Sequence, residues 1–135
     1  MHFAGLKSVN ESVSMPLVYY NSHINGTIAL LEVMKEFKVK RLIFSSSATV
    51  YGPPQELPVT HAHEVGSGIT NPYGRTKFII EEMLRDLAAS DESWKIIMLR
   101  FFNDKMCKNI LFIFVLVATS NDGETSPQSD CRLIN

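Results

Sequence analysis

An α/β domain built around a parallel sheet is the fold class this sequence predicts, and three observations carry it. Two short apolar runs, Arg41 to Ser47 and Lys95 to Asn103, read as buried strands. Two stretches with apolar residues at three- and four-residue steps read as helices packed on those strands. The resulting order of strand, helix, strand, loop, helix, strand is the alternation that joins parallel strands by right-handed crossovers.

Each element has its own reason. Met1 to Gly5 reads as the end of a strand running into a loop, since a small-residue pair follows an apolar start. After Pro16, the residues Ile24, Ile28, Leu31, Met34 and Phe37 line one face of a helix ending near Lys38. Arg41 to Ser47 is the first full strand and closes on three hydroxyls. Gly52 to Thr70 holds half the prolines and few periodic apolar residues, which predicts a long surface loop. Asn71 and Pro72 supply an N-cap and a proline at the first helical position. Ile79, Ile80, Met83, Leu84 and Leu87 then stripe a second helix to about Ala89. Lys95 to Asn103 follows as a strand.

From Asp104 the character changes to a cationic patch, an apolar run from Ile110 to Ala118 that reads as a buried strand, and a polar stretch from Thr119 to Asn135 expected to be disordered. Two regions are therefore expected, a domain over residues 1–103 and a divergent tail over residues 104–135.

The 135 residues, 45% apolar and 20% charged, suffice for one domain with a core. A net charge of -1 without long single-sign runs argues against a nucleic-acid partner. The Ile110 to Ala118 run falls well short of the roughly 20 residues that span a bilayer, and Met1 to Val9 lacks secretory organisation, so no membrane partner is expected. Cys107 and Cys131 match neither a disulfide scaffold nor a zinc module and read as reduced thiols in the cytosol. His61 and His63 lack a third ligand at a suggestive spacing, so no metal is expected. Trp94, Tyr19 and Tyr20 read as packing residues.

Tyr73 and Lys77 stand four apart at the start of the second helix, so their side chains share one face about a turn apart. A tyrosine acting as a base at neutral pH needs its pKa lowered from about 10 by roughly 3 units, about 4 kcal/mol of phenolate stabilisation. A nearby ammonium supplies part of that, although this spacing also arises by chance on solvated helices. Ser45, Ser46 and Ser47 close a strand at its carboxyl end, where open parallel sheets place their ligand crevice. Ser45 and Ser46 are expected to satisfy backbone groups in the turn. For Ser47 that role and donation to a substrate or to the tyrosine stand level.

Four segments, Met1-His2-Phe3-Ala4-Gly5-Leu6-Lys7, Phe44-Ser45-Ser46-Ser47-Ala48-Thr49-Val50-Tyr51-Gly52, Asn71-Pro72-Tyr73-Gly74-Arg75-Thr76-Lys77 and Leu99-Arg100-Phe101-Phe102-Asn103, together resemble the UDP-galactose 4-epimerase (UDP-glucose 4-epimerase) family of the extended short-chain dehydrogenase/reductase type. The resemblance runs from Met1 to about Asn103 and implies an isomerase of galactose metabolism. In it NAD takes up hydride from C4 of the hexose and returns it to the other face, interconverting UDP-galactose and UDP-glucose. By the same resemblance Tyr73 is the base, Lys77 bonds the nicotinamide ribose and lowers the tyrosine's pKa, and Ser47 bonds the reacting sugar oxygen. Phe3, Lys7, Lys77 and Phe101 are the implied cofactor contacts. Ser47, Ala48, Thr49, Phe101, Phe102 and Asn103 are the implied substrate contacts. A cytosolic homodimer is the implied assembly.

The match has departures. His23 stands where the resemblance places asparagine, and the loop between Ser47 and Tyr73 is one residue longer. No Gly-x-x-Gly-x-x-Gly turn occurs, and the chain diverges after Asn103. The expected fold is thus a partial Rossmann-type parallel sheet with flanking helices, lacking the first dinucleotide-binding strand and the substrate domain. A piece of this kind is expected to be inactive alone. A nucleotide-sugar dehydratase is the alternative, disfavoured because Ser46-Ser47-Ala48-Thr49 offers no acid.

Overall fold

Three strands and four α-helices are laid out along the chain in the computed structural model, which describes residues 1–53, 59 and 63–102 together with the backbone of 113–118. Helix α1 (Val9–Ser14) is followed by α2 (Pro16–Tyr20), a π-helical turn (Asn21–Asn25) and α3 (Gly26–Glu36). Strand β1 (Arg41–Ser47) runs into a 3-10 turn (Ala48–Tyr51). Helix α4 (Pro72–Ser90) then leads to β2 (Lys95–Phe101), and β3 (Ile113–Ala118) closes the sheet.

Strands β1 and β2 are parallel, with Arg41 opposite Lys95 and Ser47 opposite Phe101. The expected β1–α4–β2 unit is therefore present. On the outer edge of β1, the His2 amide donates to the Ile43 carbonyl and the Ser45 amide to the His2 carbonyl, so the chain start runs parallel to β1 as a short extra rung. β3 corresponds to the expected apolar run but pairs with β2 antiparallel, Ile96 facing Ala118. The strand order is β1-β2-β3. Residues 103–112 and 119–135, with Asn103, both cysteines and the expected disordered stretch, lie outside the described residues, as does His61.

The core is one-sided. Leu42, Phe44, Ile96 and Met98 point from the sheet into Met34 of α3 and into Ile80, Leu84, Ala88 and Trp94 around α4. At roughly 1.5–3 kcal/mol for each large apolar side chain buried, this seam is the main source of cohesion. Ile43, Ser45, Ile97 and Leu99, on alternate positions, are only half-buried. The strands were expected to be buried throughout; among the described residues the helices cover one face, so burial alternates with the pleat.

Local signals account for the helix ends. Asn71 caps α4 through its side-chain oxygen, which accepts from the Gly74 amide at 2.8 Å, and Pro72 sits in the first turn, as the sequence predicts. The expected helix from Pro16 to Lys38 is continuous but carries the π-helical turn around His23. Helix α1 was not foreseen, although Ser8-Val9-Asn10-Glu11 is a capping-box spacing and Ser8 Oγ does accept from the Glu11 amide. Tyr19 and Trp94 are fully buried packing residues, as expected.

Candidate active site

The carboxyl ends of β1 and β2, the first turns of α4 and the loop 3–7 meet at one end of the sheet. Helix α4 approaches the strand end closely because position 74 is glycine: a Cβ there lies 2.8 Å from Ile69 Cγ2 and 3.0 Å from the Thr49 carbonyl oxygen. That closeness sets Tyr73 and Lys77 against the three serines of β1.

Lys77 is 6% exposed and its Nζ donates to the Ser45 carbonyl at 2.8 Å. The ammonium also lies 4.9 Å from the Phe44 ring centroid and 5.8 Å from that of Tyr73. Burial lowers its pKa to about 8. An ammonium has three donors and the structure shows one of them used, on Ser45.

Tyr73 stands edge-on to Tyr19 and His23, at centroid distances of 6.5 and 5.8 Å. Its amide donates to Ser12 Oγ at 3.2 Å, which ties α4 to α1. Burial raises the phenol's pKa, and a hydrogen bond from Ser47 offsets only part of that rise. The phenol's pKa thus stands above its ordinary value, with the Lys77 ammonium bonded to the Ser45 carbonyl.

Of the two roles the sequence left open for Ser47, the turn-satisfying one is present. Its Oγ accepts from the Thr49 amide at 3.2 Å and from Thr49 Oγ1 at 3.0 Å, capping the 3-10 turn. Ala48 and Thr49 start that turn and so sit beside the serine. For Ser46 the expectation of a turn-satisfying role is overturned: its hydroxyl donates to Glu81 Oε1 at 2.5 Å, because the pleat turns it towards the helix rather than the crevice. Ser45 acts through its carbonyl.

Phe3 is exposed and its ring lies 6.3 Å from that of Phe101, an apolar shelf at the strand ends. Phe102 turns away and stacks on Tyr51 at 6.1 Å. Lys7 is exposed on the same loop as Phe3. Of the residues singled out in the sequence, Ser47, Thr49, Tyr73 and Lys77 are thus brought together, Phe3 and Phe101 form a neighbouring pair, and Phe102 belongs to a second cluster.

His23 sits under this arrangement, 4% exposed, with Nε2 2.9 Å from the Leu6 carbonyl and Nδ1 2.7 Å from Thr76 Oγ1. A carbonyl only accepts, so Nε2 carries the proton and the neutral ring leaves Nδ1 to accept from Thr76. The Thr76 hydroxyl also lies 2.8 Å from the Tyr73 carbonyl, so one proton serves two acceptors. Burial, then the charge of Lys77, lowers the His23 pKa to about 4. Residues that sequence reasoning gave no role are Thr76, Glu81 and Arg100. The legible signal for the last two is a charge inside an apolar stripe and another inside an apolar strand, each of which needs a partner when buried.

Fold and site together define the class: a Rossmann-type α/β domain with a serine, a tyrosine and a lysine gathered at the carboxyl ends of its parallel strands. The model of the NAD dependent epimerase/dehydratase family matches residues 1–104. The UDP-glucose 4-epimerase of Homo sapiens is 60% identical over 103 residues, which are 76% of this chain and 29% of that protein. UDP-glucose 4-epimerase 2 of Arabidopsis thaliana is 59% identical over the same share of each chain. Among solved structures, the UDP-glucose 4-epimerase from Bifidobacterium longum in complex with NAD+ and UDP matches with 54% identity and a TM-score of 0.72, over 74% of this chain and 30% of that one. The chain belongs to the NAD dependent epimerase/dehydratase family. It spans less than a third of the length of the curated relatives it matches. No helix among the described residues is long and apolar enough to cross a membrane.

Proposed function

We propose that these residues are the catalytic segment of a UDP-glucose 4-epimerase. The observation that carries the proposal is the convergence of Ser47, Tyr73 and Lys77 at the end of β1, in a chain 60% identical over 103 residues to a human enzyme of that name. Tyr73 takes the proton of the hexose 4-hydroxyl and later returns it, and the Ser47 hydroxyl holds the same oxygen. NAD, when bound, supplies a reversible hydride acceptor for C4 of the sugar.

The residues present fit that cofactor. Lys77 has donors beyond the one given to Ser45, suited to ribose hydroxyls, and its positive charge 5.8 Å from the Tyr73 ring favours the phenolate. Phe3 and Phe101 offer a flat apolar shelf beside it, suited to a nicotinamide ring, and Lys7 completes that side. Ala48, Thr49, Phe102 and Asn103 are assigned to the sugar-nucleotide side. UDP-galactose and UDP-glucose are the proposed substrates. A dehydratase is disfavoured because the strand end from Ser46 to Thr49 carries no acid.

We place the whole protein in the cytosol as a homodimer. Exposed apolar side chains on α1 and α2, among them Val13 at 62% and Leu17 at 80%, support a covered face. A concentration series in sedimentation tests this, and a monomer at all concentrations overturns it.

The function is tested by replacing the matching segment of the human enzyme with residues 1–103 and following UDP-galactose conversion with NAD present. Activity is expected, and Tyr73→Phe is expected to lower turnover by roughly 10²–10⁴-fold. A folded chimera without activity, or one in which Tyr73→Phe works normally, overturns the reading.

A further inference from the structure

The first turn of α4, which carries Tyr73, has its backbone donors satisfied from two places. A helix start leaves about four N–H groups without partners inside the helix. Pro72 has none to satisfy, the Asn71 side-chain oxygen accepts from the Gly74 amide at 2.8 Å, and the Arg75 amide begins the regular ladder on the Asn71 carbonyl at 3.1 Å. The Tyr73 amide remains, and it donates to Ser12 Oγ at 3.2 Å, across 61 residues of chain. The Ser12 hydroxyl proton goes to the Val9 carbonyl at 2.6 Å, so the lone pairs of that oxygen are the part turned to Tyr73.

Helix α1 does not dock in the usual way. Of its six residues Ser12 is the buried one, at 0% exposure, whereas Val9 and Val13 are exposed. A helix held by the hydrophobic effect would turn a valine inward, and burying a hydroxyl costs free energy unless it is bonded. A second anchor of α1 is also polar: the buried Tyr19 Oη donates to Glu11 Oε2 at 2.6 Å and accepts from the Ser8 amide at 3.1 Å. The Tyr19 ring in turn stands edge-on to Tyr73. Since the loop 3–7 runs straight into α1, this short helix joins the Phe3 and Lys7 side of the site to the backbone of Tyr73.

We propose that Ser12 is a positioning residue: by accepting from the Tyr73 amide it pins the first turn of α4 to α1 and so fixes where the Tyr73 side chain stands relative to the strand end. The inference rests on the assignment of Tyr73 as the acting base, but the pinning itself is a property of the chain without ligand and can be read without turnover.

The test has two arms. In the first, amide hydrogen exchange of the 135-residue chain is followed by NMR with and without Ser12→Ala. The Tyr73, Gly74 and Arg75 amides are expected to exchange about tenfold faster together, because a part-buried donor left without its acceptor loosens the turn around it. Leu84 and Ala88, further along α4, are expected to keep their rates. In the second arm, the same substitution in the chimera is expected to lower kcat by roughly 10–10²-fold while KM for UDP-galactose moves by less than about twofold, the split that a misplaced base produces. Ser12→Cys keeps the volume but offers sulfur, a weak acceptor; it is expected to act in the same direction and serves where Ser12→Ala does not fold. Faster exchange confined to the Tyr73 amide, exchange raised evenly along α4, an unchanged kcat, or a Ser12→Cys chain that behaves as the original overturns the proposal. A chimera that is inactive with Ser12 in place, while the exchange pattern holds, counts against the epimerase reading alone.

Discussion

Lys77 and Arg100 are both cations taken almost wholly out of water, at 6% and 2% exposure, yet their pKa values have moved in opposite directions. Lys77 has a carbonyl and two aromatic faces for company, and desolvation lowers its pKa to about 8. For Arg100 burial also opposes the charge, but the hydrogen bonds and charge of Glu81 outweigh it and hold its pKa above the ordinary value. One turn of α4 separates Lys77, whose charge is poorly compensated, from Glu81, the carboxylate that compensates Arg100. The difference marks which group is kept available for chemistry and which is kept still.

The largest effect expected from breaking the contrast is on the compensated side. Arg100→Met leaves the Glu81 carboxylate buried with Ser46 and Arg85 as its remaining partners, and should cost about 3–5 kcal/mol in urea unfolding. Combined with Glu81→Gln the cost should fall to near zero, since no unpaired charge is left.

On the other side the sign reverses. Lys77→Met is expected to stabilise the fold at pH 7 by up to about 3 kcal/mol, following from a pKa of about 8 against 10.5 when unfolded. Below pH 8 both states hold the proton and the native cation bears its full desolvation penalty. The advantage of Lys77→Met should therefore fade between pH 8 and 10.5, as the native lysine alone loses its proton. Unfolding curves across that range check it.

His23 sharpens the comparison from the acid side. Its folded pKa of about 4 lies below the usual 6.5, so between those values the unfolded chain binds a proton that the folded chain refuses. Stability should fall as pH drops from 6.5 towards 4, by about 2–3 kcal/mol from this group, and His23→Gln should remove that part of the slope. Equal slopes for both proteins dismiss the assignment.

A smaller effect lies far from both regions. Lys38 follows α3 with φ of 56°, and its neighbour's amide, Val39, donates to the Met34 carbonyl at 2.8 Å. Glycine at this left-handed position should stabilise by about 1 kcal/mol without touching the site, measured as a shift in unfolding midpoint.

Much of this was legible in the chain. The apolar period placed α3, α4, β1 and β2 to within a residue or two at most ends, because each buries a face whose spacing repeats locally. The π-helical turn at His23 was not legible, since nothing in Asn21 to Asn25 encodes an inserted residue; packing His23 between Leu6 and Thr76 does. Helix α1 had a visible capping signal at Ser8 and Glu11 but too few residues to show a period. The direction of β3 could not be read, because strand polarity depends on how the chain returns to the sheet.

By itself the sequence determined the alternation of elements, the cap of α4, and the placing of Tyr73 and Lys77 a turn apart near a strand end rich in serine. These follow from spacing along the chain, which local geometry converts directly into direction. Only the tertiary structure decided which serine meets which helix residue, that Ser46 serves Glu81 rather than the turn, and that Arg100 joins them from a strand 19 residues away. Those choices depend on the axial register of a helix against a sheet, a quantity set by packing between distant segments and not by any stretch of sequence alone.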